Sequence, residues 1–173
     1  MTESVAEGVA GLLPRLHRFA SRLTGARDAA DDVVQAAVER ALTRAYQWTP
    51  GTRLDSWMFS IVHSVWSNEM RSRRIRNHEP LEAAMDVSGI DAERAIVARS
   101  ALRSVTRTFV GLPEGQRQAI ALVCVEGYTH REAAAILGVP IGTVISRLAR
   151  GRRALTGERP AHHATRRKRR RLS

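Results

Sequence analysis

Apolar residues recur at helical spacing along most of the chain. Val9, Leu12, Leu13, Leu16, Ala20 and Leu23 predict a first helix, and Gly25 supplies a stop signal. Asp28, with Asp31 three residues later, predicts the N-terminus of a second helix. Its inner stripe, Ala30, Val34, Val38, Ala41 and Ala45, is made of small residues, so this helix can lie close to a neighbour. Thr49-Pro50-Gly51-Thr52 breaks the pattern. Asp55 is placed to cap a third helix with Met58, Ile61, Val62 and Val65 inward, running out into Arg71, Arg73, Arg74 and Arg76. Residues 5–76 therefore predict a three-helix bundle. Residues 77–93 contain Pro80, Ser88 and Gly89, lack strong periodicity and predict a linker. A second helical set follows over 94–156. Val97, Ala98, Ala101, Leu102, Val105 and Phe109 form one stripe, broken at Leu112-Pro113. Ala119, Ile120, Leu122 and Val123 form another, ending at Gly127, before two short segments, Thr129–Leu137 and Ile141–Leu155. With no useful β alternation and no internal repeat, the expected fold class is all-α: two small helical domains joined by a flexible linker.

The most specific stretch is Thr129 to Leu155. Thr129-His130-Arg131-Glu132 fits a capping box, in which hydroxyl and carboxylate satisfy orphan amides at a helix start. Ala133, Ala134, Ile136 and Leu137 are the expected buried side, and Gly138 the expected left-handed stop, with Val139 plugging the turn. The next helix is expected to bury Ile141, Val144, Ile145, Leu148 and Leu155, leaving Gly142, Thr143, Ser146, Arg147 and Arg150 on its other face. That is a helix–turn–helix with a polar, acid-free recognition face. Arginine can pair with guanine O6 and N7 in the major groove, and Thr143 and Ser146 are short enough for base edges or phosphates. Arg152 and Arg153, further along, are expected to hold the backbone.

Charge supports a polyanionic partner. The 173 residues carry 28 Lys+Arg against 17 Asp+Glu, a formal +11. From Arg159 onward there are seven basic residues and no acid, so 157–173 is expected to be a solvated basic tail. Upstream of it, the arginine cluster at 71–76 and a second one at Arg147, Arg150, Arg152 and Arg153 flank an acidic stretch with Glu79, Glu82, Asp86, Asp91 and Glu93. Two separated basic patches suit one extended polyanion such as DNA. All three tryptophans, Trp48, Trp57 and Trp66, fall in the first module, beside a cation cluster. Stacking surfaces next to cations are what capture of unpaired bases requires. Trp48, near the break, is the better exposed of them on this reading.

Other classes lose ground. The six histidines are scattered, with no HExxH, no paired-carboxylate spacing and no phosphate-binding glycine loop, so no cofactor, metal site or catalytic set is expected. Cys124 is alone, and sits in the apolar run Ala121-Leu122-Val123-Cys124-Val125, where it reads as a small core residue in a reducing compartment. The longest stretch without a charged residue, Ala133 to Ser146, is too short for a membrane span. The start Met1-Thr2-Glu3, with Glu7 before any basic residue, lacks the polarity of a secretory signal.

At this point the residues resemble a known family. Leu112-Pro113-Glu114-Gly115-Gln116-Arg117, Glu126-Gly127-Tyr128-Thr129, Glu132-Ala133-Ala134, Leu137-Gly138-Val139-Pro140 and Gly142-Thr143-Val144-Ile145-Ser146-Arg147-Leu148 resemble region 4 of extracytoplasmic-function (ECF) sigma factors of bacterial RNA polymerase. Asp31-Asp32-Val33-Val34-Gln35, Glu39-Arg40-Ala41-Leu42 and Leu54-Asp55-Ser56-Trp57-Met58-Phe59, running to Arg71-Ser72-Arg73-Arg74, resemble their region 2. Both halves in this order span about residues 10 to 156. The resemblance implies that Thr143, Ser146, Arg147, Arg150, Arg152 and Arg153 face the minus-thirty-five element. It implies that Trp48, Arg53, Ser64, Asn68, Arg71 and Arg74 face the minus-ten element, whose flipped base is held by the loop from Trp48 to Asp55. Asp31, Asp32, Gln35 and Glu39 would dock on the clamp helices of the polymerase β′ subunit, with region 4 touching the β flap. An anti-sigma partner and a cytoplasmic location are implied with them. Family members often have Arg at the position of His63, Asn at Ser64 and Asp at Asn68, so no promoter sequence is transferred. Gly51-Thr52-Arg53-Leu54 and Glu69-Met70-Arg71 resemble the general-stress subgroup. A stand-alone helix–turn–helix regulator and a sigma-like decoy that binds no DNA stay open as alternatives.

Overall fold

The computed structural model describes residues 2–77 and 106–157. Among them are helices and no strand. The expected linker, the stripe from Val97 to Val105 and the basic tail beyond Gly157 lie outside the described residues.

The first module holds α1 (Thr2–Thr24), α2 (Arg27–Thr43) and α3 (Leu54–Asn77), with a 3-10 turn at Ala45–Gln47. Helix α1 buries Val5, Val9, Leu16, Phe19, Ala20 and Leu23 and continues through Pro14. Gly25, at φ 70°, ends it in the left-handed conformation that a side chain would resist. Helix α2 buries Ala30, Val33, Val34, Ala37 and Ala41, which lets its backbone approach the other two helices. Its start differs from the expectation at Asp28. The N-cap is Ala26, and Asp28 sits in the first turn, where its charge still faces the positive helix end. Thr24 closes the corner instead, its hydroxyl donating to the Ala26 carbonyl at 2.7 Å. In α3, Met58, Phe59, Ile61, Val62 and Trp66 are buried.

In the second module, residues 106–110 are helical and lead through a turn to α4 (Glu114–Ile120). The chain then loosens into a π turn, Ala121–Val125, in which the Glu126 amide donates to the Ala121 carbonyl at 3.0 Å. Helices α5 (His130–Leu137) and α6 (Ile141–Thr156) complete it. Gly151 lets α6 lie against α4. A Cβ there would stand 2.6 Å from the Ile120 Cδ1 atom.

The modules are not held apart. Their buried residues form one continuous hydrophobic cluster. Phe19 packs on Phe59 at 4.9 Å between ring centroids, and Phe59 meets Tyr128 of the second module edge-on at 5.5 Å. Such tilted aromatic pairs contribute about 0.5–1.5 kcal/mol beyond the area they bury. Arg117, almost fully buried in α4, donates to the carbonyls of Val110 and of Leu23 at the end of α1. A cation on the last carbonyls of a helix satisfies groups that the helix itself leaves open.

Candidate nucleic-acid interface and the junction beneath it

Helices α5 and α6 meet at 105° across the turn Gly138–Pro140. The local chemistry dictates the corner. The Thr129 hydroxyl accepts from the Glu132 amide, and Glu132 Oε2 accepts from the Thr129 amide at 2.8 Å, closing the capping box. Gly138 ends α5 at φ 63°. Helix α6 then inserts Val144, Leu148 and Gly151 into the module. Its outer face carries Gly142, Ala149, Arg150, Arg152 and Arg153, all exposed, with Thr143 and Ser146 half-buried. No Asp or Glu occurs in α6. Arg150 donates to the Ser146 carbonyl and hydroxyl at 3.2 Å, and Arg153 to the Ala149 carbonyl at 3.1 Å. These contacts aim both guanidinium groups along the helix surface. Arg152 turns aside to Cys124, its Nη2 3.3 Å from the sulfur, and Cys124 is exposed rather than a core residue.

Two expectations about α6 are corrected. Ile141 and Ile145, expected inward, are 46 % and 48 % exposed. The buried sector is narrower than the sequence stripe: Val144, Leu148 and Gly151 are buried, and the two isoleucines lie at its edge. Arg147, expected on the open face, is half-buried. It lies across Gly115 of α4, where a Cβ would stand 2.8 Å from its guanidinium carbon. From α3, His63 faces the same place. Burial lowers its pKa, with Arg147 acting the same way and Glu114 opposing, and its Nε2 is 3.2 Å from the Ser67 hydroxyl.

On the first module, Ser64, Asn68 and Arg71 share one exposed face of α3. Arg71 donates to Asn68 at 3.5 Å, and Ser64 accepts from Arg40 of α2 at 3.5 Å. The Arg74 side chain lies outside the described residues. Asp31, Asp32, Gln35 and Glu39 form an exposed edge of α2, with Gln35 donating to Glu39 at 3.1 Å and Asp31 3.0 Å from His17 Nδ1. Trp48, expected as the exposed aromatic, is half-buried, packs against the core and has its ring N–H buried. Tyr46 takes that place: it is 71 % exposed, one residue past the start of the 3-10 turn. Sequence reasoning passed over it because Tyr46 and Trp48 look interchangeable until the turn sets which one faces out.

The loop after Trp48 leads straight to the junction. Arg53 donates to Asp55 at 2.8 Å and 3.1 Å, to Glu132 of the second module at 2.5 Å, and lies 4.8 Å over the Tyr128 ring. Burial pushes the Asp55 carboxyl up, but Arg53 and the Ser56 amide outweigh it and hold the pKa at about 2. The Tyr128 hydroxyl is buried beside Asp55 without reaching hydrogen-bond geometry; burial and that carboxylate push it to about 12. Behind them, Glu126 has a side chain only 5 % exposed and pairs with Arg15 at 3.1 Å and Arg22 at 3.6 Å of α1. Three cations of the first module thus meet two acids and an aromatic ring of the second.

An all-α chain with a helix–turn–helix, a cation-lined third helix and an acidic edge defines a two-module nucleic-acid-binding protein of the transcription machinery. Comparison with known proteins makes the assignment specific. Residues 102–155 match the model of sigma-70 region 4, and residues 9–63 that of the sigma2 domain of PhyR. EcfG, an ECF RNA polymerase sigma factor of Rhodopseudomonas palustris, is 31% identical over 156 residues, covering 90% of this chain and 85% of the relative. SigM of Mycobacterium tuberculosis is 33% identical, over 82% of this chain and 69% of its own. Among solved structures, the sigma factor RpoE in complex with the anti-sigma factor NepR from Bartonella quintana superposes with a TM-score of 0.73 at 26% identity, covering 87% of this chain and 93% of that one. The chain belongs to the ECF sigma factors, the subunits that direct RNA polymerase to promoters. Among the described residues no single helix is long and apolar enough to cross a membrane.

Proposed function

We propose that this protein binds core RNA polymerase through Asp31, Asp32, Gln35 and Glu39 on the clamp helices of β′, with the second module touching the β flap. It reads the minus-thirty-five element with the outer face of α6 and opens the minus-ten element with Arg53, Ser64, Asn68, Arg71 and Arg74. Tyr46 and Trp48 supply stacking surface beside the melted strand. The domains are 5–76 for region 2, 77–93 for the linker, 94–156 for region 4 and 157–173 for a basic tail. The protein works in the cytoplasm, has no catalytic role, and is held silent by an anti-sigma factor, as the neighbouring complex with NepR suggests. The observation that carries the reading is the segregation of charge: an exposed edge of α2 with three acids and an amide, and an α6 with no acid at all.

Size then decides how the protein must act. A compact body of this length has a radius of gyration of about 16 Å, so it is about 40 Å across. Elements some 25 base pairs apart are about 85 Å apart along B-DNA at 3.4 Å per pair. The packed form cannot touch both. The proposed linker, 77–93, has a fully extended reach of about 58 Å, enough to let the modules part. Arg53, held by Glu132 across the junction, loses that partner when they do and keeps its bond to Asp55 within its own module. The packed form is therefore the idle one, and polymerase holds the open one. Gel shift and run-off transcription with purified core enzyme test this. Specific DNA binding and transcripts are expected only with core present. Sequence-specific binding by the protein alone supports a stand-alone regulator, and no DNA binding in either state supports a decoy; either result overturns the proposal.

A further inference from the structure

Among the described residues, the exposed isoleucines of α6 are not part of the core cluster, and the ground around them is specific. Gly142, Ser146 and Ala149 surround Ile145 on the helix surface, one turn away or adjacent. A Cβ added at Gly142 meets nothing within 4 Å. Ile145, with Ile141 one turn before it, thus projects beside a floor of hydrogen, hydroxymethyl and methyl groups. Such a floor lets a helix come close to whatever it faces. The rim is cationic, with Arg150, Arg152 and Arg153 all exposed and no acid in the helix. A rim of that charge around an apolar point excludes an apolar or basic protein surface and suits a polyanion.

Only one apolar group is offered by a polyanion of this kind. In the major groove each base edge presents donors and acceptors, except that thymine adds its C5-methyl. We propose that Ile145 packs on a thymine methyl in the upstream promoter element, and so sets a specificity for T that the arginines cannot. This rests on the reading of α6 as the helix that enters the groove. Burying one methyl group is worth about 0.8 kcal/mol, which is about fourfold in affinity.

The test replaces thymine by uracil, which removes that methyl and nothing else. Full-length protein with core polymerase selects duplexes from a library randomised over the upstream element. Each enriched thymine is then replaced singly by uracil, and affinity is measured for wild type, Ile145→Ala and Ile145→Val. Wild type is expected to lose about fourfold at one position. Ile145→Ala is expected to bind T and U alike there, and Ile145→Val to keep part of the preference. Because Ile145 is half exposed, these variants are expected to keep wild-type circular dichroism and polymerase binding. If no thymine shows a uracil penalty, or if Ile145→Ala keeps it, the proposal fails while the promoter-reading function stands. If Ile145→Ala instead weakens polymerase capture with the T/U ratio unchanged, the side chain faces protein and the proposal fails. If the holoenzyme enriches no sequence at all, the reading of α6 falls with it.

Discussion

Tyr128→Ala should uncouple the two modules. Tyr128 is among the largest fully buried side chains of the protein, and its ring stands between Phe59 of α3 and the Arg53 guanidinium. Truncating a buried aromatic to alanine costs about 3–5 kcal/mol through lost transfer energy and the cavity left behind. Here much of that falls on the junction, since the ring's aromatic and cationic neighbours belong to the other module. All three tryptophans lie in the first module, so fluorescence in urea follows that module alone, whereas far-UV circular dichroism follows both. The wild type, with one continuous core, is expected to give superimposable curves. In Tyr128→Ala the curves should separate, with the first transition moved down by roughly 2 M, given a slope of about 2 kcal/mol per molar urea. Tyr128→Phe provides the control. It keeps the ring and removes a hydroxyl that makes no hydrogen bond, so it should shift the midpoint by less than about 0.5 M. Coincident curves at the wild-type midpoint for Tyr128→Ala would refute the claim that this ring couples the modules.

Glu126→Gln removes the charge that balances Arg15 and Arg22 in a nearly closed site, and should destabilise the junction by about 2–4 kcal/mol; a double-mutant cycle with Arg15→Met in thermal melts checks that the loss is pairwise. Acid should loosen the packed form in two stages. His63 has a lowered pKa when folded, so its contribution is complete above its ordinary value near 6.5 and declines as pH falls through it; Asp55, held at about 2, contributes above pH 4 and loses its contribution between about pH 4 and 2. A pair of dyes on the two modules should report growing separation below pH 6.5, and His63→Gln should remove the upper stage only. Deleting residues 160–173 should weaken binding at all DNA sequences and flatten the salt dependence; a loss confined to particular promoters in filter binding would contradict a purely electrostatic tail.

Much of this was legible in the sequence because it is local. The box at Thr129 and Glu132, the stop at Gly138 and the break at Pro50-Gly51 are each decided within a few residues, and the structure has each of them. The junction was not legible, because Arg15 and Glu126 are 111 residues apart and Arg53 and Glu132 79 apart; no periodicity links such positions. Tyr128, central to the packing, stands outside the stripes that the chain pattern offers, whereas Phe19, three residues past Leu16 and four before Leu23, falls on the first of them. Ile145 was read inward for the opposite reason: helical spacing shows which residues could be covered, but which of them are covered depends on where the neighbouring helices lie, and here they leave Ile145 half exposed. The exposure of the candidate polar positions on α2 and α3 was legible, while that of Arg147 was not, since it lies against Gly115 in another helix.

Glu132 divides its labour between its two oxygens. Oε2 accepts from the Thr129 amide and hydroxyl, and Oε1 alone holds Arg53. Undocking Arg53 therefore vacates one lone-pair site without uncapping α5. In the proposed opening, the second module would then swing away with its corner intact and have no refolding to complete at the promoter.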